Sequence, residues 1–284
     1  MKKILVTGAN GQLGQSLQKL SQKEKAFQFL FTDSETLDIT NKEEVLNFFW
    51  QNEPDVCINA AAYTAVDLAE TDTEKAFLVN ADGTENLALA CAEYNAQFIH
   101  VSTDYVFDGT NNLEYTEEDF TNPLGVYGAS KLAGEELALE ANPCTIILRT
   151  SWVYSEFGKN FVKTMLSLFA TKEELNVVAD QYGQPTNATD LAEAILTIVK
   201  TEKKTPGIFN FSNEGKISWH DFAQKIAELS VSKIKINPIV TSQYPTPAKR
   251  PQNSTLDLSK IKSTYHINIK PWEESLAKTI QLLK

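Results

Sequence analysis

The chain has 284 residues, 42% hydrophobic and 22% charged, which describes a soluble globular protein and excludes disordered and fibrous classes. A net charge of −11 argues against a nucleic-acid partner, and it leaves any anionic substrate to be captured by local groups. No apolar run reaches the length of a membrane span and residues 1–10 already read as strand and turn, so no membrane, no signal peptide and a cytoplasmic location are expected.

Residues 3–7, Lys-Ile-Leu-Val-Thr, form a short β-branched apolar run and read as a buried strand. The run leads into Gly8-Ala9-Asn10-Gly11-Gln12-Leu13-Gly14, a G-x-x-G-x-x-G pattern opening a helix over 12–20. Glycines there permit a tight turn and let backbone amides approach a pyrophosphate, which a helix N-terminus then stabilises. A glycine-rich turn with no ligand is the alternative. The next strand, 27–32, ends at Asp33, an acid at the spacing expected for a ribose contact. Asp33 suits a 2′-hydroxyl and repels a 2′-phosphate, Glu35 follows, and no Arg stands nearby. The local chemistry therefore leans toward NADH.

Strands and helices then alternate: helix 42–52, strand 55–59, helix near 73–94, strand 97–102, helix 127–141, strand 144–149. This rhythm predicts an α/β fold, a Rossmann-type doubly wound parallel sheet with right-handed crossovers. Ligands gather at the carboxyl ends of such strands. Asn59-Ala60-Ala61-Ala62-Tyr63-Thr64 and Ser102-Thr103-Asp104-Tyr105 both begin at these ends, and small alanines leave room for a cofactor. After residue 150 the rhythm loosens, with helices at 158–170, 188–200, 218–230 and 272–283 and strands near 175–179, 207–211 and 234–240. We read 1–150 as a dinucleotide-binding domain and 151–284 as mainly a smaller, partly interleaved α/β substrate domain, some segments returning to the sheet. Cys57, Cys91 and Cys144 have no metal spacing and read as buried structural thiols.

Tyr127-Gly128-Ala129-Ser130-Lys131 is the stretch where the chemistry belongs. On a helix, positions four apart share a face, so the phenol and the ammonium point the same way. A free phenol has a pKa near 10, and a cation beside it favours the phenolate. Such a pair donates a proton to a carbonyl oxygen or accepts one from an alcohol. Y-x-x-x-K alone is common, but a cofactor loop in the same chain points to hydride transfer.

These motifs, together with S-T-D-Y-V-F-D-G (102–109), R-T-S-W-V-Y (149–154), D-Q-Y-G-Q-P-T (180–186) and Y-P-T-P-A-K-R-P (244–251), resemble the dTDP-4-dehydrorhamnose reductase family of extended short-chain dehydrogenases/reductases nearly end to end. The resemblance implies NADPH- or NADH-dependent reduction of the C4 ketone of dTDP-4-dehydro-β-L-rhamnose to dTDP-β-L-rhamnose, in deoxysugar biosynthesis. It implies Tyr127 as proton donor, Lys131 as a nicotinamide-ribose ligand that depresses the Tyr127 pKa, and Thr103 as hydrogen-bond donor to the reacting oxygen. Gly8, Asn10, Gly11, Gln12, Leu13, Asp33, Asp38, Ile39 and residues 61–64 (Ala61, Ala62, Tyr63, Thr64) would bind the cofactor. Asp104, Trp152, Gln181 and Arg250 would meet the substrate, with Arg250 on the diphosphate.

Some family members dimerise around a magnesium ion held by glutamates, but the matching positions here are Ser16, Asp190 and Glu273. No metal is therefore expected, and the chain is read as a monomer or an unbridged homodimer. A 4,6-dehydratase needs a carboxylate where Tyr105 stands, which disfavours dehydration; epimerisation is disfavoured less. The resemblance also covers a non-catalytic class, the regulatory β subunit of methionine adenosyltransferase.

Overall fold

Ile4, Leu5 and Val6 are consecutive and all fully buried, so the first strand, β1 (Lys2–Thr7), is covered on both faces. A computed structural model describes residues 1–284 and shows why. Beside β1 lie β2 (Phe27–Phe31) and β3 (Val56–Asn59), followed by β4 (Gln97–Thr103) and β5 (Ile146–Thr150). The order across the sheet is β2-β1-β3-β4-β5, with Gly207–Asn210 closing the edge beyond β5. Every pairing is parallel. Alternate side chains of β1 feed two cores: Ile4 and Val6 pack with Leu17, Leu191 and Ile195, and Leu5 with Val45, Phe49 and Leu87. Each such fully buried aliphatic side chain contributes roughly 1.5–3 kcal/mol before entropy is counted.

The winding reverses between β1 and β3, since β2 lies on one side of β1 and the later strands on the other. A crevice opens at the carboxyl end of such a reversal, where ligands bind in open α/β sheets. The last third builds a separate apolar cluster from Tyr154, Val162, Met165, Phe222, Trp272, Leu276 and Ile280. It is organised around a parallel pair, Glu174–Val178 with Lys235–Ile239, and the helices Phe161–Phe169, Trp219–Ser230 and Trp272–Leu282. No helix is long and apolar enough to cross a membrane.

Two expectations are corrected, and three short elements are added. The helix expected near 73–94 runs as Thr73–Phe77 and Gly83–Glu93 with a wider π-turn, Leu78–Asp82, between them. That turn places the fully buried Asn80 against residue 63 and Ser130, a contact that periodicity does not reveal. Cys144 is exposed because the fifth strand starts only at Ile146 and Cys144 belongs to the preceding turn, its amide donating to Asn142 Oδ1 at 3.0 Å. A helix at Ser259–Tyr265 and the two-residue strands Tyr182–Gly183 and Ile217–Ser218 are too short to give a periodic signal in the sequence.

Candidate active site

Gly8 ends β1 at φ +69°, where an L side chain is strained, and an added Cβ would lie 2.5 Å from the Ala61 nitrogen and 2.6 Å from the Ala60 carbonyl oxygen. Only glycine lets the loop after β1 rest on the loop after β3. The helix Gln12–Ser21 follows with Gly11 at its N-cap and no side-chain cap, so its first amides keep their donors for an anion. A cleft of about 920 Å³ opens over this turn. Gly8, Asn10, Gly11, Gln12 and Leu13 line one wall, Asp33, Asp38 and Ile39 the end beyond β2, and Ala61, Ala62 and Thr64 the side beyond β3.

Asp33 accepts from Asn10 Nδ2 at 2.7 Å and from Thr36 Oγ1 at 2.9 Å. The Thr36 hydroxyl, chief among several donors, holds its carboxyl below the usual range, so it is an anion at every physiological pH. These uncapped amides, a fixed carboxylate and an alanine-lined floor fit a dinucleotide. Tyr63 does not line the cleft. Its amide donates to Asn80 Oδ1 at 2.8 Å and its phenol donates to Asp72 at 3.2 Å, so Asn80 in the π-turn anchors it from behind.

Tyr127 and Lys131 lie one turn apart on the helix Val126–Ala141, and both face the cleft with Thr103 and Asp104. Thr103 Oγ1 donates to Asp104 Oδ1 at 3.1 Å and accepts from the Tyr105 amide at 3.2 Å, and the Tyr127 phenol lines the cleft beside it. The structure thus brings Thr103, Tyr127 and Lys131, grouped in the sequence analysis, to one cleft. Its electrostatics differ from expectation. Burial pushes the Tyr127 phenol up to about 12, and the neighbouring Thr103 hydroxyl offsets only part of this. Burial also disfavours the Lys131 charge, bringing that group down to about 8 against the pull of Glu135. Its Nζ donates to the Val101 carbonyl at 2.8 Å and lies 3.2 Å from His100 Nε2. A phenol in this state keeps its proton, which suits a donor in a reduction.

Burial also raises the Asp104 carboxyl to about 6, its Oδ2 buried without a partner, while the Thr103 hydroxyl on Oδ1 works the other way. A carboxyl raised on folding weakens the fold above its unfolded pKa, and the penalty grows as pH rises from about 4 to 6. Asp104→Asn is therefore expected to stabilise the protein at pH 7 by on the order of 2 kcal/mol, the gain vanishing near pH 4. Denaturant melts of both proteins at the two pH values check this; equal gains at both would refute it.

Trp152 stands at the far end of the cleft with φ +47°, unusual for a bulky residue. Its indole stacks on Trp219 with ring centroids 3.5 Å apart and planes 11° from parallel. A Cβ on Gly183 would come within 2.5 Å of the Trp152 ring, which explains the glycine in D-Q-Y-G. Trp219 and Phe161 line the same end and were missed from sequence; aromatics opening two separate helices were the only signal. Gln181 and Arg250 do not line the cleft. Gln181 is buried, its Nε2 donating to Thr241 Oγ1 at 3.1 Å. Arg250 pairs with Asp67 at 2.9 Å and donates to the Ala248 carbonyl at 3.2 Å, beside Val66 at the cleft wall.

Two of the three positions matched to a magnesium site are otherwise engaged. Ser16 donates to the Gln12 carbonyl at 2.9 Å, and Asp190 is held by Lys270 at 2.6 Å, Asn213 at 2.8 Å and Ser275.

Similarity to known proteins follows the same lines. A dTDP-4-dehydrorhamnose reductase from Aggregatibacter actinomycetemcomitans is 45% identical over 286 residues, covering 97% of each chain. The crystal structure of a dTDP-4-dehydrorhamnose reductase from Clostridium acetobutylicum superposes with a TM-score of 0.95 at 44% identity, covering 99% of each chain. One from Bacillus anthracis, in complex with NADP, superposes with a TM-score of 0.95 at 37% identity over 99% of this chain and 100% of that one. The family model described as RmlD substrate binding domain matches residues 1–284, and with glycine turn, Thr-Tyr-Lys set and whole-length similarity in agreement, the chain belongs to the dTDP-4-dehydrorhamnose reductase (RmlD) family.

Proposed function

We propose that this protein is an NAD(P)H-dependent oxidoreductase that reduces the C4 ketone of dTDP-4-dehydro-β-L-rhamnose to dTDP-β-L-rhamnose. The observation that carries the reading is the convergence of Thr103, Tyr127 and Lys131 in the cleft that begins at the glycine turn. A bound dihydronicotinamide supplies the hydride. Thr103 polarises the ketone by donating to its oxygen and stabilises the oxyanion character that develops there. Tyr127, protonated at neutral pH, delivers its phenolic proton to the same oxygen as it becomes a hydroxyl. Lys131 orients the cofactor ribose. Trp152 and Trp219 give the sugar an apolar wall and exclude water, and Asp104 contacts the sugar beside Thr103. We assign residues 151–284 mainly to substrate binding, with Arg250 exchanging Asp67 for a diphosphate oxygen, a role that guanidinium geometry suits.

Mixing the protein with NADH or NADPH and the dTDP-4-keto sugar should consume nicotinamide absorbance and yield the 4-hydroxy sugar. Tight cofactor binding without consumption would instead support the regulatory-subunit alternative. Asp33 sets the preference between cofactors. As a permanent anion near the expected 2′ position it opposes a 2′-phosphate. Asp33→Asn should tighten NADPH roughly five- to tenfold relative to NADH, read as a ratio of Kd values by fluorescence titration. An unchanged ratio would mean that the carboxylate does not face the 2′ position.

A further inference from the structure

His100 is fully buried on β4, and the mechanism above does not use it. Its hydrogen bonds admit one arrangement of protons. Asn59, at the end of β3, faces the Ala61 amide at 3.1 Å and the Thr7 hydroxyl at 2.7 Å with the same atom. The Ala61 amide can only donate, so that atom is Oδ1. Asn59 Nδ2 then points at Thr84 Oγ1, 3.4 Å away, and at His100 Nδ1, 3.1 Å away. Thr84 spends its own proton on the Asn80 carbonyl at 2.8 Å and accepts from Asn59. His100 Nδ1 must likewise accept, and a neutral imidazole that accepts at Nδ1 carries its proton on Nε2. That Nε2–H faces Lys131 Nζ at 3.2 Å. An ammonium has donors only, so a charged Lys131 would set donor against donor, whereas a free amine has the lone pair that the contact requires.

We propose that His100 is a positioning residue for Lys131: locked in one tautomer by Asn59, it donates Nε2–H to the Lys131 side-chain nitrogen when that nitrogen is a free amine and so opposes its protonation. The link to catalysis rests on the reductase reading; the proton assignment does not. The surroundings agree. Burial, its largest cause, drives His100 toward its neutral form. From its own helix Lys131 meets Tyr127 and Glu135, and Glu135 is already paired with Arg149 from β5 at 2.6 Å. Asp104, after β4, faces the same cleft. The charge beside Tyr127 is therefore acquired within a pH window and is not permanent.

The test begins with the full-length protein carrying ring-15N histidine and ε-13C lysine. The chain has three histidines, His100, His220 and His266, and H100Q assigns the first. Long-range proton–nitrogen spectra should show His100 neutral with its proton on Nε2 through neutral pH. A proton on Nδ1, or an imidazolium, would overturn the proposal. The Lys131 ε-carbon should titrate near pH 8 in the wild type and about one pH unit higher in H100Q, whose amide oxygen can turn to accept from an ammonium. An unchanged midpoint would also overturn it. Asn59→Asp, which can accept from Nδ1–H, should invert the tautomer and shift Lys131 the same way. If H100Q fails to fold, the wild-type tautomer and this second variant decide. In turnover, the kcat–pH profile of H100Q should move with the Lys131 midpoint, a shift that simple loosening of the core would not produce. The spectra do not depend on turnover, so a protein without reductase activity would defeat the functional reading, while the tautomer and the Lys131 midpoint would still decide the proton assignment.

Discussion

Tyr127→Phe is expected to lower kcat for the ketone reduction by roughly 10²–10⁴-fold while the cofactor Kd changes by no more than about twofold. The phenol lines the cleft beside Thr103, and its ring packs edge-on against Tyr105 with centroids 5.6 Å apart. Phenylalanine keeps that packing and removes only the proton. The cofactor turn lies at Gly8–Leu13 on other elements, so the dinucleotide keeps its contacts. Stopped-flow reduction with NADH, alongside a fluorescence titration of NADH, separates the two effects. A variant retaining more than about a tenth of the wild-type rate would show that another group, with Asp104 the nearest acid, protonates the oxygen. Because the phenol sits near 12, reduction should not lose rate from pH 7 to 9 through Tyr127 ionisation.

The second large effect concerns stability. Arg149 on β5 grips Glu135 through Nε at 3.0 Å and Nη2 at 2.6 Å, and the pair is almost wholly buried. The guanidinium also stands 5.1 Å from the centre of the Phe107 ring, and its Nη1 has no partner. Glu135 lies one turn beyond Lys131, so the pair fastens the helix that carries Tyr127 and Lys131 to the sheet. Glu135→Ala strands a buried cation and should cost about 3–5 kcal/mol, a fall in Tm on the order of 10 °C. Removing both charges, as in Arg149→Met with Glu135→Leu, should recover most of that loss, because two desolvated ions gain little over good packing. Thermal melts of the single and double variants decide it. A double variant as unstable as the single would mean that the pair supplies net stability and not only helix placement.

The Arg149 case shows what local pattern conveys. R-T-S-W stood out as a motif, yet nothing in its letters indicates that the arginine turns inward to Glu135 and away from substrate. Sequence position cannot reveal direction for a side chain at a strand's end. Arg250, expected on a diphosphate, pairs with Asp67, which lies 183 residues away along the chain. Gln181 is likewise absorbed by Thr241.

Sequence by itself determined the alternation that makes a parallel sheet, the glycine turn, Asp33 after β2, and the Tyr127–Lys131 pair. Each depends on a 2.0 or 3.6 residue period or on neighbours a few positions apart. Tertiary structure alone decided the charge states and the partners. Burial carries Tyr127 up, Lys131 down and Asp104 up, and burial is a property of the packed whole. Likewise the stacking of Trp152 on Trp219, the Asn80 anchor in the π-turn and the Asn59–His100–Lys131 chain join strands and helices distant in sequence. No short-range pattern encodes such contacts, because they arise only when the sheet orders its strands.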